Sequence, residues 1–113
     1  MPITIYHNPR CSKSRATLAL LHGHGYSPEI IEYLKAPPDS STLYTLANKL
    51  GLPLSGIVRT GEQVFKDNNL TNAGDDALAA AISENPILLQ RPIVVSGDRA
   101  AIGRPPESVL DII

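Results

Sequence analysis

Residues 3–21 read ITIYHNPRCSKSRATLALL, and this stretch decides the fold. ITIY carries β-branched and aromatic side chains in alternation, which predicts a short strand over residues 3–6. ATLALL has the apolar spacing of a helix. Asn8 or Ser12 can cap that helix, which runs to about Gly23 or Gly25, where glycine supplies a stop. The connecting HNPRCSKSR holds the chain's one cysteine, Cys11. A thiol at a helix mouth faces unpaired backbone N–H groups and the positive end of the dipole, and both favour thiolate. Ser12 and Ser14 add hydroxyl donors, and Arg10 and Arg15 add positive charge. Arg15 lies four positions after Cys11 and so shares its face of the helix. The same strand–loop–helix turn, with N–H groups pointing outward, is a binding place for an anion.

Outward from this stretch, EIIEYL predicts a second strand, closed by the KAPPD break. Asp39 or Ser40 caps a helix whose Leu43, Leu46, Ala47 and Leu50 recur at helical spacing, and Gly51 ends it. From Pro53 to Pro86 the pattern is less regular. IVRTGE reads as a short helix or turn and NNLTNAG as a loop. DDALAAAISENP reads as a helix with acids at its start and an Asn-Pro stop. RPIVV then predicts a strand, SGDR a tight hairpin turn and AAIG the return strand. Pro105 or Pro106 opens a terminal helix, ESVLDII. The order β-α-β-α, helical insert, β-β-α fits an α/β sandwich of thioredoxin type. The expectation is a single domain, 1–113, with a mixed four-stranded sheet and a helical insert at about 53–86, between the second helix and the third strand.

Composition limits the function classes. With 113 residues, 42% hydrophobic and 19% charged, the chain can bury one core without staples. A net charge of −1 argues against a broad basic surface for nucleic acid. No run approaches the roughly 18 apolar residues of a membrane span, and no basic segment followed by an apolar stretch opens the chain. The expected location is the cytoplasm. One cysteine cannot close an internal disulfide. Any redox chemistry at Cys11 therefore takes its partner sulfur from another molecule. No other Cys or His stands at ligand spacing, so no metal is expected; no tightly bound cofactor is expected either. No extended apolar patch argues for an obligate dimer, and a monomer is expected.

A lone cysteine is often just a small buried hydrophobe, and its sequence context separates Cys11 from that reading. The context also excludes two look-alikes. A cysteine-phosphatase loop needs arginine six positions on, where Thr17 stands. A thioredoxin C-x-x-C pair needs a second cysteine where Ser14 stands. What remains is C-x-x-S-R, and with it the chain resembles the glutaredoxin-coupled arsenate reductases, the ArsC family, whose fold is thioredoxin-like. The resemblance runs from ITIYHNPRCSKSR through YLKAPP, GIVRTGE and ENPILLQRPIVV to IGRPPESVLDI, and is loosest over residues 64–77.

The resemblance implies that Cys11 is the nucleophile. It also implies that Arg59, Arg91 and Arg104 clamp the oxyanion beside Ser12, and that His7, Ser14, Arg15 and Pro92 support the site. Taken singly, each arginine would read as a routine surface charge. Arg91 opens one strand of the hairpin and Arg104 closes the other, so antiparallel pairing brings them together. A planar guanidinium binds two oxyanion oxygens at once and lets an anionic nucleophile approach. For Arg91–Pro92 the residue pair alone favours trans, whereas the resemblance implies a cis bond beside the cysteine. His7 reads as structural, or as a group that tunes Cys11 or binds a product oxyanion. The implied partners are arsenate, glutathione and glutaredoxin. Two other classes share this scaffold: redox-sensing transcriptional regulators of the Spx type, and glutathione-dependent thiol reductases without arsenate activity. The missing second cysteine and the arginine set disfavour the first, and the arginines alone disfavour the second.

Overall fold

The structure is a computed structural model, and it describes residues 2–113. The chain divides into two compact units. One comprises the residues up to Ala36 with Arg91–Ile113, and the other is Pro37–Gln90.

The first unit is built on strands β1 (Ile3–His7), β2 (Glu29–Glu32), β3 (Ile93–Ser96) and β4 (Arg99–Ile102), with helix α1 (Ser12–Gly23). The sheet order is β2-β1-β3-β4. β1 pairs parallel with β2 and antiparallel with β3, and β3 pairs antiparallel with β4. This is the mixed four-stranded sheet of the thioredoxin-like fold. The alternation in β1 sends Ile3 and Ile5 to one face, where they form a core with Leu21, Val94 and Val109. Leu18 and Leu20 pack against that core from α1. The helix ends because Gly25, at φ +86°, takes the left-handed conformation that side chains resist. Tyr26 N–H then closes back on Leu21 O at 3.0 Å.

β2 is shorter than EIIEYL suggested. Its partner β1 ends at His7, opposite Glu32. Beyond that point the N–H groups of Lys35 and Ala36 fold back on Glu32 O, each at 2.9 Å. The β3–β4 hairpin turns at Gly97–Asp98, between the paired residues Ser96 and Arg99, as SGDR predicts. The terminal segment Pro106–Ile112 is helical but 3₁₀, not α. Its apolar residues Val109 and Ile112 are three apart and eclipse on a three-residue turn, which docks both on the β1 core.

In the second unit, α2 (Ser40–Leu50) is capped by Asp39, whose carboxylate accepts the Thr42 N–H at 2.8 Å. Gly51, at φ +71°, ends it. Short 3₁₀ turns at Leu54–Gly56, Leu70–Asn72 and Pro86–Leu88 surround α3 (Gln63–Asp67) and α4 (Asp75–Glu84). The Tyr44 hydroxyl donates to Asp76, joining α2 to α4. IVRTGE is a turn: Val58 bridges Leu89, and the Arg59 N–H donates to Leu88 O at 2.6 Å. NNLTNAG is a loop around a 3₁₀ turn anchored by the buried Leu70. The five-residue α3 was not foreseen, because an element that short shows no complete apolar period. Among the described residues no helix is long and apolar enough to cross a membrane.

Candidate active site

Strand register gathers the site at one end of the sheet. His7 lies opposite Glu32, Tyr6 opposite Ile93, and Ile93 opposite Ile102. The loop after β1, the turn after β2, the entry to β3 and the exit from β4 therefore meet there. They carry Cys11, Tyr33, Arg91 and Arg104 respectively.

Cys11 is itself the N-cap of α1, at φ −93° and ψ 123°. Neither Asn8 nor Ser12 caps the helix. Asn8 instead closes the loop, its Oδ1 accepting the Arg10 N–H at 3.0 Å and its carbonyl the Cys11 N–H at 3.0 Å. Burial pushes the Cys11 thiol up. The Ser14 N–H, the Arg91 guanidinium and the Lys13 N–H together outweigh burial, so the thiol titrates below its ordinary value. Arg104 Nη2 donates to Cys11 Sγ at 3.7 Å, while Arg104 Nε donates to Arg91 O at 2.8 Å. One guanidinium thus spans the thiol and the backbone of the second arginine.

The two nearby arginines do less than their positions suggested. Arg15 Nη1 donates to Pro9 O at 2.9 Å and braces the loop. Neither Arg15 nor Arg10 is among the groups that lower the thiol. The hydroxyl of Ser14 is engaged within the loop. It accepts the Asn8 N–H at 3.0 Å and lies 2.6 Å from His7 Nδ1, both bonds buried. The His7 tautomer sets which of the two donates in the Ser14–Nδ1 bond. Burial holds His7 below its usual range; Glu32 opposes this and Arg15 adds to it. Ser12 is exposed at the first position of α1.

The Arg91–Pro92 bond is cis, and so is Arg104–Pro105, which no motif had indicated. Gly103 N–H donates to Pro92 O at 2.9 Å, tying the strand entry to the strand exit. Arg91 Nε and Nη1 are buried without a hydrogen-bond partner, as is Arg59 Nη1 in the second unit. Buried unpaired donors are rare in folded proteins, and each one calls for a physical reason.

Sequence reading missed Tyr33, taken there as part of a strand. It is fully buried, no partner meets hydrogen-bond geometry at its hydroxyl, and Arg91 and Asn8 flank that hydroxyl. The available signal was topological, since residues just past parallel strand ends face the site. A cleft of about 240 Å³ beside the Cys11 loop is lined by His7, Asn8, Arg10, Glu32, Leu34 and Lys35, with Pro9. A larger hollow of about 450 Å³, between Ile3, Ser96 and Ile113, lies at the far end of the sheet and contains no cysteine. Among the described residues, no three His, Cys, Asp or Glu side chains group as metal ligands would.

A thioredoxin-like sheet with a lone thiol at its first helix, beside Arg91, Arg104 and backbone N–H groups, defines a class of protein with a partly exposed thiol in a positive setting. The chain belongs to the ArsC family, which it matches over residues 6–112. It is 47% identical to an arsenate reductase of Haemophilus influenzae, with all of both chains covered. It is 46% identical to the uncharacterized protein YfgD of Escherichia coli K12, over 98% of this chain and 96% of that one. The solved structure of an arsenate reductase from Vibrio cholerae superposes with a TM-score of 0.97 at 47% identity, over 100% of this chain and 98% of that one.

Proposed function

We propose that this protein is an arsenate reductase, an oxidoreductase in which Cys11 is the nucleophile. The observation that carries the reading is the Cys11 thiol held at a helix mouth, with Arg104 at 3.7 Å and Arg91 lowering its pKa. Two anions, thiolate and arsenate, must meet, and fixed guanidinium groups offset their repulsion without reorganising. Arg91 and Arg104 hold the oxyanion. Arg59 joins them on the family resemblance alone.

The Cys11 sulfur attacks arsenic, an S–As bond forms, and one arsenate oxygen leaves as water. Because the chain has no second cysteine, two external thiols supply the two electrons that take arsenic from the +5 to the +3 state. They leave together as a disulfide, a second arsenic oxygen departs as water, and hydrolysis of the remaining S–As bond frees arsenite and Cys11. Glutathione and glutaredoxin fill those two places. Ser14 acts through His7 and its own backbone N–H, and Pro92 shapes the strand entry. We further infer that residues 1–113 work as one thioredoxin-like domain, with the segment at about 53–86 as its insert, as a monomer in the cytoplasm.

The test is arsenate-dependent NADPH oxidation coupled through glutathione, glutaredoxin and glutathione reductase. Wild type turns over and Cys11→Ser does not, while its melting temperature stays unchanged. A flat trace for wild type with active coupling enzymes, alongside activity on a glutathionylated peptide, moves the protein to the thiol-reductase class.

A further inference from the structure

Four buried side-chain polar atoms among the described residues have no hydrogen-bond partner. Three of them are Tyr33 Oη, Arg91 Nε and Arg91 Nη1, at the same end of the sheet as Cys11. A phenol oxygen offers two lone pairs. A guanidinium offers five N–H donors and no acceptor. The two side chains are complementary and close enough for Arg91 to counter the upward pull of burial on the phenol, yet no bond between them meets hydrogen-bond geometry. Tyr33 is fully buried, so a ligand has no room to reach its hydroxyl. The enclosed Nε and Nη1 are equally out of reach, which leaves Nη2 as the Arg91 nitrogen that can meet a ligand. Hydrogen bonds in unliganded sites are often poorly aligned and tighten only in the complex.

We propose that Tyr33 is a positioning residue for Arg91. Its phenol oxygen is the acceptor that the buried N–H groups of Arg91 take up when a tetrahedral oxyanion draws the outer edge of the guanidinium into register. Asn8, on the other side of the hydroxyl, keeps the phenol in place. The device rests on the oxyanion reading given above and deepens it. Arg91 bonded from behind loses less rotamer freedom on binding the anion, which is preorganisation.

The experiment reads protection of Cys11 from iodoacetamide by inorganic phosphate, in wild type, Tyr33→Phe, Arg91→Lys and the double variant. Each protection constant is referred to that protein's own unprotected rate. Tyr33→Phe is expected to weaken protection about five- to tenfold. The melting temperature stays level or rises, because the lost hydroxyl had no partner in the free protein. In the Arg91→Lys background the same change weakens protection less than about twofold, since lysine has no Nε to hold. Tyr33→Met fills the volume without an oxygen; it repeats the result, and stands in if the phenylalanine variant does not fold. Unchanged protection in Tyr33→Phe overturns the inference alone, whether or not the melting temperature falls. Equal losses in both backgrounds overturn it too, because Tyr33 then acts independently of Arg91. No protection by phosphate in wild type removes the oxyanion reading, and this inference with it.

Discussion

Replacing Gly103 with alanine tests how packing sets the site. Gly103 joins β4 to Arg104. A Cβ built there meets Thr17 Oγ1 at 2.5 Å, Pro92 Cγ at 2.8 Å and Thr17 Cγ2 at 3.2 Å. Ordinary carbon contacts lie near 3.5–4.0 Å, so the added methyl must displace something. Thr17 is fully buried, and its hydroxyl donates to Lys13 O at 2.8 Å, so turning it away breaks a bond. Pro92 is a rigid ring whose carbonyl already accepts the Gly103 N–H. Overpacking of this kind costs about 1–3 kcal/mol. For a domain of this size each kcal/mol lowers the melting temperature by roughly 4 °C, which gives a drop of roughly 4–12 °C. The assay is a thermal melt of wild type, Gly103→Ala, Thr17→Ala and the double variant. Two of the three close contacts belong to Thr17, so its truncation is expected to remove at least half of the alanine penalty. Arsenate turnover falls as well, because Arg104 follows Gly103 and Arg91 precedes Pro92. A wild-type melting temperature for Gly103→Ala would refute the argument, as would an equal penalty in both backgrounds.

Three further outcomes follow from the same geometry. The pH profile of Cys11 alkylation has its midpoint below the ordinary 9.0 of a thiol; Arg91→Gln moves it up and Arg15→Gln leaves it in place, and equal shifts in the two variants would contradict the assignment of charge to Arg91. His7 is held below 6.5 by burial, so the folded state resists its protonation. Its contribution to stability is full above pH 6.5 and is lost as pH falls through the folded-state value; melts across pH show this limb in wild type and a shallower one in His7→Gln. Asp39 is depressed below 3.8 by the N–H and hydroxyl of Thr42. Asp39→Ala therefore lowers the melting temperature at neutral pH, and the gap from wild type closes as pH drops below 3.8 through the folded-state value. A gap that stays constant in acid would mean that the charge on Asp39 contributes nothing.

Much of the fold was legible because its signals are local. The alternation in ITIY, the apolar spacing of α2 behind Asp39, and the two-residue turn in SGDR each depend on neighbours in the chain. The failures were also physical. The terminal segment is 3₁₀ because Val109 and Ile112 dock three residues apart, and helix type there follows the core it meets. β2 stops at Glu32 because β1 has no residue left to pair beyond His7. α3 is too short to display a period of its own.

The sequence by itself determined that a single thiol sits at a helix mouth, that it has no internal partner, and that arginines stand at both ends of a hairpin. Tertiary structure decided which of those groups act on the thiol. Arg10 and Arg15 are near Cys11 in the chain, but Arg15 turns to the loop carbonyl of Pro9. Arg104, 93 residues away, donates to the sulfur instead. Ser14, placed by sequence to serve the thiol with its hydroxyl, shares a buried hydroxyl bond with His7 and lowers the Cys11 thiol through its N–H. Tyr33 enters the site through strand register alone. The reason lies in range. Chain neighbours fix backbone conformation, whereas side-chain electrostatics and hydrogen bonds act over a few ångströms of space, and only β-sheet register brings residues so far apart in the chain within that reach.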